Sequence, residues 1–175
     1  MPAYDIFRFT QGRKVCTFFP ESYMSALAFS RGIPYARILQ KAVSRRPISL
    51  LSKGTIMDIN ALVEQIKRRP DYYKVGMMLC HNGVVRGTSR DGRKVTGLRV
   101  TVDHARLEQV ICAHRDRPGI IDILVQINAD RDLRVGDDVM LLLVAGDIRE
   151  NVTATLKDTL DTIKSTVTTK TEYFA

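Results

Sequence analysis

Apolar and polar positions alternate most cleanly between Gly136 and Glu172. Residues 139–145 form an unbroken apolar run, short enough for a strand and apolar enough for a central one. Val152, Leu156, Leu160 and Ile163 then recur at helical spacing and predict a helix over 150–164. Arg149 stands at the corner between the two elements, and Lys164 closes the helix. The tail, 166–174, is rich in β-branched residues and reads as an extended segment carrying Lys170.

The same periods organise the stretch upstream. Ile59, Leu62, Val63 and Ile66 follow helical spacing behind Asp58, a good N-cap, and Pro70 ends that helix. Residues 75–80 read as a strand that leaves the sheet through His81-Asn82-Gly83-Val84-Val85-Arg86. Asp91-Gly92 marks a turn before a second strand at 95–102. A helix at 103–113 presents Leu107, Val110 and Ile111 on one face, a third strand follows at 120–127, and 128–135 is a polar connection. After a leading helix the order is β-β-α-β-β-α. It predicts an α+β fold with helices packed on a mostly antiparallel sheet.

Charge divides the chain in two. The net charge of the 175 residues is +8, and residues 1–56 carry nine Lys/Arg against only Asp5 and Glu21. The basic character therefore belongs to the first third. Within it, 4–10 and 14–19 read as a hairpin around Gln11-Gly12, 21–30 and 35–44 as short helices, and 45–47 and 52–54 as linker. Three readings stand for residues 1–56: a poorly ordered extension, a basic arm for nucleic acid or an acidic partner, or an over-extended start with Met57 as the natural one. Residues 57–175 form the second domain. No stretch is long and apolar enough to span a membrane. Cys16, Cys80 and Cys112 are odd in number and widely spaced, which reads as three reduced thiols in a cytoplasmic protein.

Cations are the candidate chemistry. Arg86 follows a strand end, and the bland alternative is a solvated loop residue. Arg149 and Lys164 lie about 22 Å apart along one helix, so serving one small anionic ligand requires groups from elsewhere, such as a second subunit. As surface cations of an amphipathic helix they need no ligand at all. Lys170 is a nucleophile or proton shuttle if it sits in a cationic pocket, and otherwise a solvated residue of an edge strand. His81, His104 and His114 lack metal-ligand spacing. Cys80 and His81 point to opposite faces of a strand, which argues against a Cys–His dyad.

The order of these motifs resembles the large, catalytic subunit of molybdopterin synthase over about residues 57–172. Asn82-Gly83-Val84-Val85-Arg86 is similar to the family's Gly-x-Val-Arg loop, and Val102-Asp103-His104 to its acidic-plus-aromatic strand end. Gly136-Asp137-Asp138-Val139, an apolar strand, Arg149, a helix and Lys164 follow the family's later half. The resemblance implies an α/β-hammerhead fold, a homodimer, and a ubiquitin-like sulfur-carrier small subunit at each end, making a heterotetramer. It implies transfer of two sulfurs from the carrier's thiocarboxylate to cyclic pyranopterin monophosphate, in molybdenum cofactor biosynthesis, with no resident cofactor or metal. Lys164 and Lys170 would then be catalytic. Arg86 and Arg149 would bind substrate, with Val84, Val85, Ile148, Thr171 and Glu172 beside them. Two departures stand out. Ile148 occupies the place of the family's usual His, and the tail Thr168-Thr169-Lys170-Thr171-Glu172 lacks the usual Trp and is one residue shorter. A non-catalytic homologue that binds carrier or pterin is the alternative; nucleic-acid binding through residues 1–56 ranks last.

Overall fold

The computed structural model describes the backbone of residues 4–10 and 13–19 and the whole of residues 57–175. The chain divides into two units, Met1–Pro47 and Ile48–Ala175. In the first, β1 (Tyr4–Thr10) and β2 (Arg13–Phe19) pair antiparallel, Tyr4 opposite Phe19. The helices expected at 21–30 and 35–44, and the linker after them, lie outside the described residues. The second unit runs α1 (Ile59–Lys67), a single 3-10 turn (Tyr72–Lys74), β3 (Met77–Val84), β4 (Val95–Val102) and α2 (His104–Arg115). It continues through β5 (Ile120–Ile127), β6 (Asp132–Arg134), β7 (Asp138–Gly146), α3 (Arg149–Thr166) and β8 (Thr168–Phe174). The α+β class holds, but the strands form two antiparallel sheets instead of one, ordered β3-β7-β5 and β6-β4-β8.

β7 is the centre of the first sheet because its residues are apolar on both faces. Met140, Leu142 and Val144 meet Leu107, Val110 and Ile111 of α2 and Val152 and Ile163 of α3. The alternate residues Leu141, Leu143 and Ala145 meet Leu62 and Ile66 of α1. Burying each such aliphatic side chain contributes about 1.5–3 kcal/mol. A polar clamp adds to this packing. Asp122 of β5, 8% exposed, accepts from Arg69 beyond α1 (2.6 Å) and lies 2.8 Å from Nε of Arg115 at the end of α2.

The helix starts follow the sequence. Asp58 accepts from the Asn60 amide and Asp103 from the Arg106 amide, each capping its helix as these residue types do. Three boundaries differ from expectation. β3 continues through His81 and Gly83 before leaving the sheet, α3 extends past Lys164 to Thr166, and the polar connection 128–135 contains the short strand β6. β6 escapes detection because only Leu133 of its three residues is apolar and buried.

The second sheet has a smaller core of Val85, Leu98, Val100 and Leu133. Its edge strand, β8, is largely exposed and pairs with β4 alone, Lys170 opposite Val100 and Glu172 opposite Leu98. Tyr173 lies opposite Gly97, whose missing side chain lets the ring cross β4 so that its hydroxyl donates to Asp132 at 2.8 Å. Cys80 carries a free thiol. Cys112 is disulfide-bonded, which corrects the expectation of three reduced thiols. Among the described residues no helix is long and apolar enough to cross a membrane.

Candidate active site

The long helix α3 distributes the candidate cations over its two ends. Arg149 is its first residue and Lys164 lies in its last turn. Val152, Thr155, Thr159 and Ile163 are the buried stripe that fixes the helix against the first sheet and α2. Arg149 and Lys164 lie outside this stripe and are exposed.

The Arg149 corner is tightly built. Asp147 accepts from the Ile148 amide (2.6 Å) and from the Asn151 side chain (2.9 Å), and those hydrogen bonds hold its carboxyl below the usual range. Gly119, at φ +75°, leaves room for this cluster: a Cβ there would come within 2.2 Å of Asn151 Nδ2. Arg149 itself is 80% exposed and pairs with its neighbour Glu150 at 3.2 Å. Ile148 is 54% exposed.

The Lys164 end faces β3. Met77 and Leu79 pack against the α2–α3 side of the first sheet, and strand alternation puts His81 and Gly83 on that same side. Cys80 packs on the other side with the α1 cluster, so the Cys–His dyad is excluded by orientation. The Nε2 of His81 is buried and without a hydrogen-bond partner. Burial first, and the charge of Lys164 second, hold the His81 imidazole below its ordinary pKa. His81 thus adjoins Lys164, although the sequence did not mark it as a site residue. The signal was its place two residues before Gly83; what the sequence lacked was the packing of α3 over that strand.

After Gly83 the β3–β7 register shifts, and the chain turns out of the sheet. The shift sends consecutive residues to different places: Val84 is 44% exposed, Val85 is 2% exposed, and Arg86 is exposed on the loop. Val85 belongs to the core of the second sheet, and its amide and carbonyl bond Asp137 and Gly136.

The tail is divided in a different way. Lys170 donates to Glu172 at 2.7 Å, two residues on and on the same face of β8. Thr171 is opposite Arg99 and points to the other face. β8 therefore does not present Lys170, Thr171 and Glu172 as one cluster. The three histidines also stand apart: His81 is on β3, His104 is exposed at the start of α2, and His114 bonds Thr159 between α2 and α3.

The family model described as MoaE protein matches residues 53–166. The chain belongs to the MoaE protein family. That is the family of the molybdopterin synthase large subunit, a sulfurtransferase of molybdenum cofactor biosynthesis, to which the order of sequence motifs pointed. Among solved structures, molybdopterin synthase from Staphylococcus aureus aligns with a TM-score of 0.60 at 18% identity, over 75% of this chain and 93% of that one. Molybdopterin cofactor biosynthesis protein E from Burkholderia multivorans aligns with a TM-score of 0.57 at 22% identity, over 75% and 92%. A complex of subunits 1 and 2 of molybdopterin-converting factor from Helicobacter pylori aligns with a TM-score of 0.52 at 17% identity, over 67% and 80%. At these identities the likeness is one of fold. No protein of curated function matches the chain.

Proposed function

We propose that this chain is a sulfur-inserting subunit: it transfers sulfur from the C-terminal thiocarboxylate of a small carrier protein to cyclic pyranopterin monophosphate. The observation that carries the proposal is the position of Lys164. In a family of sulfurtransferases, it stands exposed on a firmly packed helix end, beside a strand that leads within a few residues to Arg86. An ammonium and a guanidinium near one strand end suit a phosphate-bearing substrate and the anionic carrier terminus. Carrier docking is supported by the fold shared with the Helicobacter pylori complex, which contains two subunits.

Arg149 joins that chemistry through a second copy of the chain. It stands at the far end of the 18-residue α3, so one protomer does not bring it to a small molecule held at Lys164. A twofold dimer that places the Arg149 corner of one protomer against the Lys164 end of its partner completes the cationic site, and two carriers make it a heterotetramer.

The test is reconstitution of the full chain with cyclic pyranopterin monophosphate and a thiocarboxylated carrier, scoring molybdopterin by the fluorescence of its oxidised product. Lys164→Ala should lower turnover by about a hundredfold or more without loss of fold, since truncating a group that acts in the reaction costs at least that much. Lys164→Ala and Arg149→Ala, each inactive alone, should regain activity when unfolded together and refolded as mixed dimers. No recovery would place both groups in one protomer's site or remove Arg149 from it.

One observation favours a second reading. Lys170 is bound to Glu172 on an exposed edge strand, and the family's tail Trp is missing. A protein that grips the carrier yet yields no product would be a non-catalytic homologue. Carrier binding without product separates the two; where product forms, a fall of about tenfold or more in turnover of Lys170→Ala makes Lys170 a participant, and unchanged turnover leaves Lys164 as the acting lysine.

A further inference from the structure

His81 combines three features that the proposed reaction does not use. Its Nε2 is buried and unpartnered. A buried polar atom in this condition is destabilising, so it calls for a partner in the working state. Its ring lies over Gly83, whose hypothetical Cβ would approach Nε2 to 3.3 Å. A larger residue at 83 would press on the ring, so glycine keeps the space beside Nε2 open. Lys164, exposed on the last turn of α3, is near enough for its charge to act on the ring.

Three other titratable groups of the described residues are already engaged. Asp122 is held by Arg69 and Arg115, His114 by Thr159 and Arg117, and Lys170 by Glu172. His81 differs from these groups in having an unused lone pair or N–H beside a flexible ammonium.

We propose that His81 is a positioning residue of the Lys164 site: in the ligand-bound protein its Nε2 accepts a hydrogen bond from the Lys164 ammonium and steers that side chain over Gly83. This rests on Lys164 being the acting lysine of the proposed function. The imidazole remains neutral with its proton on Nδ1, the tautomer that leaves Nε2 free to accept. A lysine held in this way presents its remaining N–H donors in a defined direction, where a free lysine would sweep through many rotamers. His81 thereby supplies an imidazole from β3 to a site in which Ile148 stands at the family's usual His position.

Two measurements test the pairing, and the first does not depend on the reaction. The His81 imidazole is titrated by NMR in the full chain and in Lys164→Met. Its pKa should rise toward the ordinary value of about 6.5 when the ammonium is removed. An unchanged value overturns the pairing, whether or not the protein is a synthase. The second is steady-state turnover of His81→Phe, His81→Gln and His81→Asn. Phenylalanine keeps the ring volume and should lower kcat about tenfold with little change in KM, because misplacing a reacting group acts on the chemical step. Glutamine, whose carbonyl reaches the place of Nε2, should restore most of kcat; asparagine, which reaches only the place of Nδ1, should not. Full activity in His81→Phe, or equal rescue by both amides, overturns the positioning role. Absence of turnover in the wild type counts against the synthase reading, and the titration then decides the pairing alone.

Discussion

The two sheets of the second unit bury their strands to very different depths. β7 of the first sheet is apolar on both faces and covered by α1 on one side and α2 and α3 on the other. β8 of the second sheet has no buried residue and pairs along only one edge. Lys164 is mounted on a helix packed against the first sheet, and Lys170 on the exposed strand of the second. A group that must meet a reacting atom within a fraction of an ångström belongs on the rigid element. A group that adjusts to a docking partner tolerates the exposed one. Under the proposed function, Lys164 therefore has the rigid mount that a reacting group needs, and Lys170 the exposed one that can respond to what binds.

Core truncation tests the difference most severely. Leu142, fully buried between β3, β5 and the α2–α3 layer, should lose about 3–5 kcal/mol on replacement by alanine, the upper part of the range for buried leucines. Leu133, 2% exposed in the smaller core, should lose nearer 2 kcal/mol, because the second sheet is free to relax on its exposed side. Urea unfolding of both variants compares them, and equal losses would mean that the two sheets are equally constrained. Gly97→Ala comes next. Its Cβ would lie 2.6 Å from the Leu133 carbonyl oxygen and 3.6 Å from the Tyr173 ring, so strand β4 must shift. A cost of about 1–3 kcal/mol is expected, with the loss of protection in hydrogen exchange concentrated on β6 and β8.

The better-packed sheet was also the more legible one. Residues 139–145 announced a central strand because burial on both faces leaves no polar alternation, and Asp58 announced its helix because capping is local chemistry. β6 stayed hidden, since a three-residue strand with one buried side chain has no period to detect. The split into two sheets was equally invisible, because strand pairing is a long-range choice that local pattern does not encode. For the site, Arg149 and Lys164 were correctly set at two ends of one helix. Val85 was read only as part of the loop motif, and its burial in the second core follows the register shift after Gly83, which local pattern does not show. His81 was passed over because its importance comes from α3 lying above it, which only the packing reveals.

Acid should distinguish the regions by a smaller effect. His114, between α2 and α3, has its pKa lowered first by burial and then by Arg117, whose guanidinium stands 3.3 Å from its Nε2. The folded state therefore binds this proton less readily than the unfolded chain. The contribution is complete above the unfolded value of about 6.5 and is lost as pH falls through the lowered folded value. His81 has the same sign. Melting temperature should decline on acidification in that window, and His114→Gln should flatten the decline by removing one of the two groups. An unaltered profile in that variant would assign the acid sensitivity elsewhere.

The smallest effect belongs to the edge. Tyr173 crosses Gly97 to donate to Asp132, joining β8 to β6 over the intervening strand, but both ends of this bond are substantially exposed. Tyr173→Phe keeps the ring on the glycine and removes only the hydroxyl, so global stability should fall by about 0.5 kcal/mol. The amides of β8 should nevertheless exchange several times faster, while those of β7 do not change, because the edge strand opens by itself and the central one only with the whole unit. If β7 and β8 respond together, the two sheets unfold as one cooperative body, and Lys170 is held by the same framework that holds Lys164.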